Sequence, residues 1–217
     1  MKSLSKFRTV ILDKDGTLYS TKLMEQYWLR TVLGSIRLHD NEMESWPFDR
    51  AQTLIRSAPW TTVIHSISED WSSRSKSVSY DDASELVTHF APKDTWKYQH
   101  SLIAPWVVCL MGERTVLYTE DYREPTLKLL ERDGLKNDFG MVVCAGNIPW
   151  LSKNSTAGLH FILGEMESTP EETCMIGDSN CDITIGNLSG CYTIAIRPDG
   201  IPHPEADRTV AHLGDLF

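Results

Sequence analysis

The chain carries near its start the stretch Val10-Ile11-Leu12-Asp13-Lys14-Asp15-Gly16-Thr17-Leu18. Its three leading apolar residues are typical of a buried strand, and two carboxylates follow where that strand would end. Residues i and i+2 of an extended segment share a face, so Asp13 and Asp15 are predicted to point at one ligand before Gly16 turns the chain. The same residue types also form ordinary turns. The stretch therefore favours a ligand-binding or catalytic loop at a strand end, with a plain turn as the alternative.

Size and charge restrict the kind of protein this is. The chain has 217 residues, of which 41% are hydrophobic and 24% charged, as in an ordinary globular protein of one large or two modest domains. The net charge is -9. This balance argues against nucleic acid or an anionic membrane as the main partner, and leaves a small anionic molecule possible at a local positive site.

The cysteines and the N-terminus predict the compartment. The five cysteines are odd in number and widely spaced, which indicates reduced core thiols and argues against a disulfide framework or a zinc site: Cys109, Cys144, Cys174, Cys181 and Cys191. The apolar run near the N-terminus is too short for a secretory signal, and no apolar run approaches membrane-spanning length. We therefore expect a cytoplasmic protein.

Short apolar runs predict a parallel sheet. The predicted strands are Thr9–Leu12, Thr115–Thr119, Met141–Ala145, Thr173–Ile176 and Tyr192–Ile196. Helical patterns lie between the later runs, among them Glu124–Asp133, closed by Gly134, and Thr156–Met166. Alternating strands and helices predict a doubly wound, mainly parallel α/β fold.

A long insertion separates the first two predicted strands. About a hundred residues after Thr17 contain amphipathic helical spacing and no convincing parallel strand. We predict an inserted all-α cap domain over residues 19–103 and a core over residues 1–18 and 104–217. Within the cap, Ser72–Ser79 is predicted to be a loop, and Ala104-Pro105 to begin a helix that returns to the sheet.

Polar residues follow several of the predicted strands. In an open α/β sheet, ligands bind outside the carboxyl ends of the strands, so these residues are expected to share one crevice. They are Asp13, Asp15, Thr119, Lys153, and the run Gly177-Asp178-Ser179-Asn180-Cys181-Asp182. A helix N-cap is the alternative explanation for Asp178 and Ser179, because both residue types are common caps.

In their order, these residues resemble the four motifs of the haloacid dehalogenase (HAD) superfamily. The motifs are an Asp-x-Asp-Gly-Thr loop, a Ser or Thr that ends the second strand, a Lys, and a Gly-Asp-Ser-x-x-Asp loop. The resemblance spans Phe7–Phe217. The helical insertion after the first motif is similar to the phosphoglycolate phosphatase and β-phosphoglucomutase branch, whose cap closes over small phosphorylated metabolites.

The resemblance implies a role for each acid. Asp13 would be the nucleophile that forms an aspartyl-phosphate, and Asp15 the general acid and base. The implied cofactor is Mg²⁺, held by the Asp13 carboxylate, the Asp15 backbone carbonyl and the Asp178 carboxylate. Asp182 would join the metal site through a bound water, or orient Lys153.

The resemblance also implies a phosphate site. Besides Asp13, its expected residues are Gly16, Thr119, Glu120 and Lys153. Glu120-Asp121 stands where many relatives have Asn, and Asn154 follows Lys153 where Pro is frequent. Because neither departure removes a catalytic group, we expect altered substrate preference and a working site.

The favoured function is Mg²⁺-dependent hydrolysis of a small phosphorylated metabolite. A phosphomutase needs the same acids, a dehalogenase is disfavoured because it does not require Asp15, and a non-catalytic phosphate-binding module remains a third class. Monomer and homodimer stay open. The cap residues that could contact substrate are unranked: Arg37, His65, Arg74, Lys76, His89 and His100.

Overall fold

The computed structural model describes residues 4–40, 60–75, 78–92, 94–102, 114–146 and 148–217. By its internal contacts the chain divides into two compact units. One unit consists of Met1–Thr21 together with Gln99–Phe217, and the other of Lys22–Tyr98. The division predicted from the sequence placed these boundaries after residue 18 and after residue 103.

The regular elements alternate as the sequence predicts. The strands are β1 (Thr9–Leu12), β2 (Tyr19–Ser20), β3 (His100–Ser101), β4 (Thr115–Thr119), β5 (Met141–Cys144), β6 (Thr173–Gly177), β7 (Tyr192–Ile196) and β8 (Arg208–Val210). The α-helices are α1 (Lys22–His39), α2 (Trp60–Arg74), α3 (Tyr80–Phe90), α4 (Arg123–Arg132), α5 (Ala157–Glu165) and α6 (Asn180–Leu188). Short 3-10 helices cover Leu4–Lys6, Thr95–Tyr98, Pro149–Leu151, Pro170–Glu172 and Leu213–Leu216.

Six strands form one parallel sheet in the order β5-β4-β1-β6-β7-β8. Every residue of β1 is buried, and Leu12 pairs with Leu117 of β4 on one side and with Ile176 of β6 on the other. The chain thus builds outward on one side of β1 and then crosses to the other. Such a switch point opens a crevice at the carboxyl ends of the strands, and the predicted doubly wound α/β fold is confirmed.

The strand and helix predictions in the core hold closely. The five predicted strands and the two predicted core helices end within one residue of the observed bounds. Every residue of β1, β4 and β6 is buried, as central parallel strands covered by helices require. One apolar cluster joins the sheet to α5 through Ile11, Tyr118, Leu159 and Met175.

The unit Lys22–Tyr98 has its own apolar core. Its described elements are helical, and its buried side chains come from α1, α2 and α3: Trp28, Leu29, Val32, Leu33, Ile36, Val63, Ile67, Trp71, Ala83 and Val87. The indole N–H of Trp71 donates to Asp40 Oδ2 at 3.0 Å, so this fully buried side chain also has its polar atom paired.

The loop predicted over Ser72–Ser79 is shorter than expected. Helix α2 continues to Arg74, where an ion pair of 3.1 Å with Asp70 lies along one helix face. Ser79 is the N-cap of α3, and its Oγ accepts the backbone N–H of Asp82 at 3.2 Å. The prediction was therefore wrong at its first three residues, because Ser-rich composition does not prevent a helix that buries Trp71.

A small antiparallel ribbon was missed. It consists of β2 and β3, with Ser20 paired to His100, and lies where the sequence predicted helical cap. The ribbon is attached to the loop after β1, since the Gly16 N–H donates to the carbonyl of Tyr19 at 2.7 Å. Strands of two residues are too short to leave a periodic pattern in a sequence.

Some predictions fall outside the described residues, namely the helix at Ala104-Pro105, Lys76, Cys109 and the side chain of Arg37. The four described cysteines are unpaired, and Cys181 is only half-buried. Among the described residues, no helix has both the length and the apolar composition that crossing a bilayer requires.

Candidate active site

The first acid of the Asp-x-Asp pair lies at the crevice. Asp13 directly follows β1, and its backbone N–H donates to the carbonyl of Ile176 in β6 at 2.9 Å. This bond extends the pairing of β1 and β6 by one residue and holds Asp13 at the switch point. The side chain is buried, so its carboxylate needs partners.

Lys153 supplies the positive charge next to Asp13. Its Nζ donates to Asp13 Oδ1 at 2.5 Å and to Asp182 Oδ1 at 2.7 Å. Burial alone would lower the pKa of Lys153, but the charges of Asp13 and Asp182 outweigh it and raise that pKa above its ordinary value. The two carboxylates therefore favour the charged form of Lys153.

Tyr118 contacts both the Lys153 ammonium and the segment that precedes this lysine. The ammonium lies 5.2 Å from the centroid of the Tyr118 ring, and the Tyr118 hydroxyl donates to the carbonyl of Leu151 at 2.5 Å. The ring thus contacts the cation while the hydroxyl holds the segment that delivers it. Nothing in the sequence indicated Tyr118, which follows the pattern of an ordinary strand residue.

Asp182 contacts both Lys153 and the residue that precedes α6. Its Oδ1 accepts from Lys153, and its Oδ2 accepts from Ser179 Oγ at 2.6 Å and from the Ser179 backbone N–H at 3.2 Å. Ser179 in turn accepts the backbone N–H of Asp182, which completes a capping box at the start of α6. The alternative explanation by helix capping is thus correct for Ser179, whereas the carboxylate of Asp178 lies outside the capping box.

Three carboxylates converge in a way that suits a divalent cation. Asp13, Asp178 and Asp182 offer oxygen atoms that all lie within 4.8 Å of one another. Burial raises the pKa of Asp13 well above its ordinary value; Lys153 opposes the shift and the neighbouring carboxylates reinforce it. Burial, then the charge of Asp182, raises the pKa of Asp178 to about 7. A hard cation would relieve this repulsion, and oxygen ligands are those that Mg²⁺ prefers, so the residues fit the implied metal.

Glycine is required where the first and fourth motifs meet. Gly16 has φ +82°, and a Cβ built there would collide with the Asp178 carboxylate. The absence of a side chain therefore lets the loop after β1 approach the acid that follows β6. Gly177 does the same for Asp182, whose side chain occupies the place of a Cβ at residue 177.

The remaining predicted phosphate-site residues are Thr119, which ends β4, and Glu120, which follows it. Thr119 is buried, and its hydroxyl oxygen accepts the backbone N–H of Asp121 at 3.1 Å. Glu120 accepts the backbone N–H of Lys153, so its carboxylate helps to hold the segment that carries the lysine. The negative charge of Asp121 is compensated, because its Oδ2 lies 2.8 Å from Lys14 Nζ.

Two functional candidates were missed, Lys14 and Gln99. Both side chains are buried, and Lys14 Nζ lies 3.0 Å from Asp15 Oδ1, 2.8 Å from Asp121 Oδ2 and 3.1 Å from Gln99 Oε1. Burial acts to lower the pKa of Lys14, but the charges of Asp15 and Asp121 raise it above its ordinary value. Gln99 Nε2 donates to Asp15 Oδ1. Alternation along an extended segment does predict that Lys14 points away from Asp13, but no local pattern indicates Gln99.

The candidate substrate contacts of the cap have local partners. His65 Nδ1 lies 2.6 Å from the Tyr80 hydroxyl, and Arg74 pairs with Asp70. His89 lies in the last turn of α3 and His100 lies in β3, and both are exposed. Their role in substrate binding stays a prediction.

The chain matches a known protein family over most of its length. The sequence model of haloacid dehalogenase-like hydrolases matches residues 7–190. A search of curated proteins found no significant match.

Solved structures share the fold at low identity. A predicted phosphoglycolate phosphatase of Haemophilus somnus has a TM-score of 0.75 and 14% identity, with 97% of this chain and 96% of that chain covered. A HAD-superfamily hydrolase of subfamily IA from Geobacter sulfurreducens has a TM-score of 0.71 and 15% identity, covering 97% of this chain and 100% of that chain. A HAD hydrolase of Bacillus subtilis, described as bound to magnesium, has a TM-score of 0.68 and 17% identity, with 98% of this chain and 97% of that chain covered.

The family model covers residues 7–190, a range that includes all four motifs identified in the sequence. The resemblance inferred from the motifs is therefore confirmed: this chain belongs to the haloacid dehalogenase-like hydrolases.

Proposed function

We propose that the protein is a Mg²⁺-dependent phosphomonoesterase that hydrolyses a small phosphorylated metabolite through an aspartyl-phosphate. The observation that carries this proposal is the buried cluster in which Lys153 contacts Asp13 while Asp13 and Asp178 share a site suited to a cation. The cluster combines a nucleophile, a fixed positive charge and oxygen ligands.

The proposed first step transfers the phosphoryl group to the protein. A carboxylate oxygen of Asp13 forms a bond to phosphorus, and the bond from phosphorus to the leaving oxygen breaks, with its electron pair passing to that oxygen. Asp15 gives the leaving oxygen a proton, so that an alcohol departs. In the second step water attacks the phosphorus, Asp15 takes the proton of that water, and the Asp13 carboxylate is regenerated with release of phosphate.

The other residues hold the transferred group. The Lys153 ammonium and the Thr119 hydroxyl are proposed to donate to phosphoryl oxygens, together with backbone N–H groups of the loop at Gly16 and of Glu120. The Asp13 and Asp178 carboxylates and the Asp15 backbone carbonyl would hold Mg²⁺, with Asp182 beside them. When bound, that ion supplies positive charge between the substrate anion and these acids.

The proposed substrate is a small molecule. A net charge of -9 disfavours nucleic acid and anionic membranes as partners, whereas one phosphate group can be bound by the local charge of Lys153. A cytoplasmic location and the choice between monomer and homodimer stay predictions.

The test is release of inorganic phosphate from p-nitrophenyl phosphate and a panel of phosphorylated metabolites, with Mg²⁺ and with EDTA. We expect activity only with Mg²⁺. The Asp13→Asn variant should lose about three orders of magnitude or more in rate, because an amide is a poor nucleophile. Asp138→Asn is the matched control: its side chain lies before β5, at the opposite end of the sheet, and should leave the rate unchanged.

The same acids would serve a phosphomutase. Transfer of a labelled phosphoryl group between two positions of a sugar phosphate, without release of free phosphate, would show that the protein is a phosphomutase of this fold and not a hydrolase. Tight binding of phosphorylated ligands with no turnover of any panel member would instead indicate a phosphate-binding module and contradict the enzymatic proposal.

A further inference from the structure

Gln99 lies outside all four motifs, yet it contacts the proposed general acid. It precedes β3, 84 residues from Asp15 along the chain, and donates from Nε2 to Asp15 Oδ1. Its Oε1 accepts from Lys14 Nζ at 3.1 Å. Gln99 therefore bridges a buried cation and the second acid of the first motif.

Chemistry fixes which way the Gln99 amide faces. A lysine ammonium has only donors, so the amide oxygen must face Lys14 and the NH₂ group must face the carboxylate of Asp15. Lys14 is itself held by Asp121 Oδ2 at 2.8 Å. The backbone carbonyl of Gln99 accepts from Arg132 Nη2 of α4 at 2.9 Å, which fixes the main chain at this point. Side chain and backbone are thus both anchored.

These contacts distinguish the two oxygens of Asp15. Gln99 and Lys14 both approach Oδ1, and within the described residues Oδ2 makes no hydrogen bond. The Asp15 side chain is 32% exposed, whereas Gln99 and Lys14 are fully buried beneath it. One oxygen of Asp15 thus contacts two buried side chains, and among the described residues the other has no hydrogen-bond partner.

We propose that Gln99 is a positioning residue for Asp15: through its amide it anchors Oδ1 of Asp15, so that Oδ2 is aimed at the leaving oxygen of the substrate. This inference rests on the proposed phosphomonoesterase function. Gln99 touches no reacting atom; it acts through Asp15, whose carboxyl proton passes to the leaving oxygen as the bond from phosphorus to that oxygen breaks.

The test uses leaving groups of graded basicity. The probes are para-substituted phenyl phosphates, from p-nitrophenyl through unsubstituted phenyl to p-methylphenyl phosphate, and the measured quantity is kcat/KM, which reports the steps up to formation of the aspartyl-phosphate. A p-nitrophenolate departs with little protonation, whereas a p-methylphenolate needs a proton from a well-aimed acid. A general loss of structure would affect all probes equally.

For Gln99→Leu we expect kcat/KM to fall about 10-fold or more on p-methylphenyl phosphate and less than about 3-fold on p-nitrophenyl phosphate. Gln99→Asn keeps an amide but is one methylene too short to span Lys14 and Asp15. It should likewise lower kcat/KM more on p-methylphenyl phosphate than on p-nitrophenyl phosphate. The matched control is Gln26→Leu in α1, which should leave the whole series unchanged.

The outcomes separate the two proposals. Wild-type protein with no Mg²⁺-dependent activity on p-nitrophenyl phosphate removes the phosphomonoesterase proposal, and this inference with it. An active wild type whose Gln99 variants lose the same factor on every probe, or lose none, overturns the positioning role alone. If Gln99→Leu fails to fold, as judged by thermal unfolding, the Gln99→Asn series decides.

Discussion

Asp182 binds Lys153 through an Nζ to Oδ1 contact of 2.7 Å, while the other oxygen of the same carboxylate caps α6. One side chain thus joins the start of a helix to the cation that contacts Asp13, the proposed nucleophile. The geometry of the proposed active site and the stability of the start of α6 are therefore linked at Asp182.

Asp182→Ala should lose both stability and activity. The substitution leaves a buried lysine with one carboxylate fewer, so we expect the free energy of unfolding to fall by about 3 kcal/mol. Ser179→Ala removes the hydroxyl that caps α6 and donates to Asp182 Oδ2, but it leaves the Asp182 carboxylate on Lys153, so it should lower the free energy of unfolding by about 1 kcal/mol with most activity retained. Urea unfolding monitored by circular dichroism measures both variants, and equal losses would contradict the shared role of Asp182.

The pH should control metal binding through Asp178. Its pKa is raised to about 7, above the value expected in the unfolded chain. The proton-linked stability of the metal-free protein is therefore present at low pH and lost as the pH rises through about 7, whereas Mg²⁺ affinity rises over the same window because the metal competes with a proton. Thermal unfolding in EDTA should show a lower Tm at pH 8 than at pH 6, with Mg²⁺ restoring the Tm at pH 8.

The control for this effect is Asp178→Asn, which cannot titrate at that residue. Its Tm in EDTA should depend much less on pH in the same window. Parallel curves for the wild type and this variant would show that the pH effect arises from other groups.

Gly16→Ala should separate backbone strain from steric collision. Gly16 and Gly200 both have positive φ, at +82° and +71°, but only at Gly16 would a Cβ meet a neighbour, the Asp178 carboxylate. Alanine at either position should lower the free energy of unfolding by about 1 kcal/mol because of the positive φ alone. Gly16→Ala should in addition weaken Mg²⁺ binding about 10-fold or more by displacing a ligand, measured by calorimetric titration. Unchanged affinity would show that Asp178 is not held against this loop.

Lys14→Met should be far more damaging than removal of an exposed lysine. Lys14 compensates Asp15 and Asp121 from a fully buried position, so its loss should lower the free energy of unfolding by at least about 2 kcal/mol, after allowance for the partial exposure of both acids. Lys128→Met, which removes an exposed partner of Glu124, should change stability little. Chemical denaturation of both variants compares them, and similar midpoints would refute the difference.

The core was predictable because its signals are local. A run such as Thr9–Leu12 that is buried on both faces is uniformly apolar, and the acids stand directly after it. Sheet topology then brings Asp13 and Asp178 together, since parallel strands share their carboxyl edge. Spacing and residue type were sufficient for this part of the site.

The contacts that hold the Asp15 side chain could not be predicted in this way. Gln99 contacts it across 84 positions, and a lone glutamine before a two-residue strand has no pattern. Tyr118 likewise looks like a strand residue until its ring is found 5.2 Å from the lysine ammonium. Such contacts depend on tertiary packing, which single-sequence periodicity does not report.

The pairing of Ser20 with His100 also bears on how this chain could be shortened. Those two residues face each other in an antiparallel ribbon. The next residue on each strand, Thr21 on one and Gln99 on the other, is therefore placed like the last residue before the turn of a hairpin. A two-residue Asn-Gly turn in place of Lys22–Tyr98 would close that hairpin with the geometry that such turns favour. The larger unit could then be produced as a minimal protein that retains every acid of the site, with Gln99 still in its place beside Asp15.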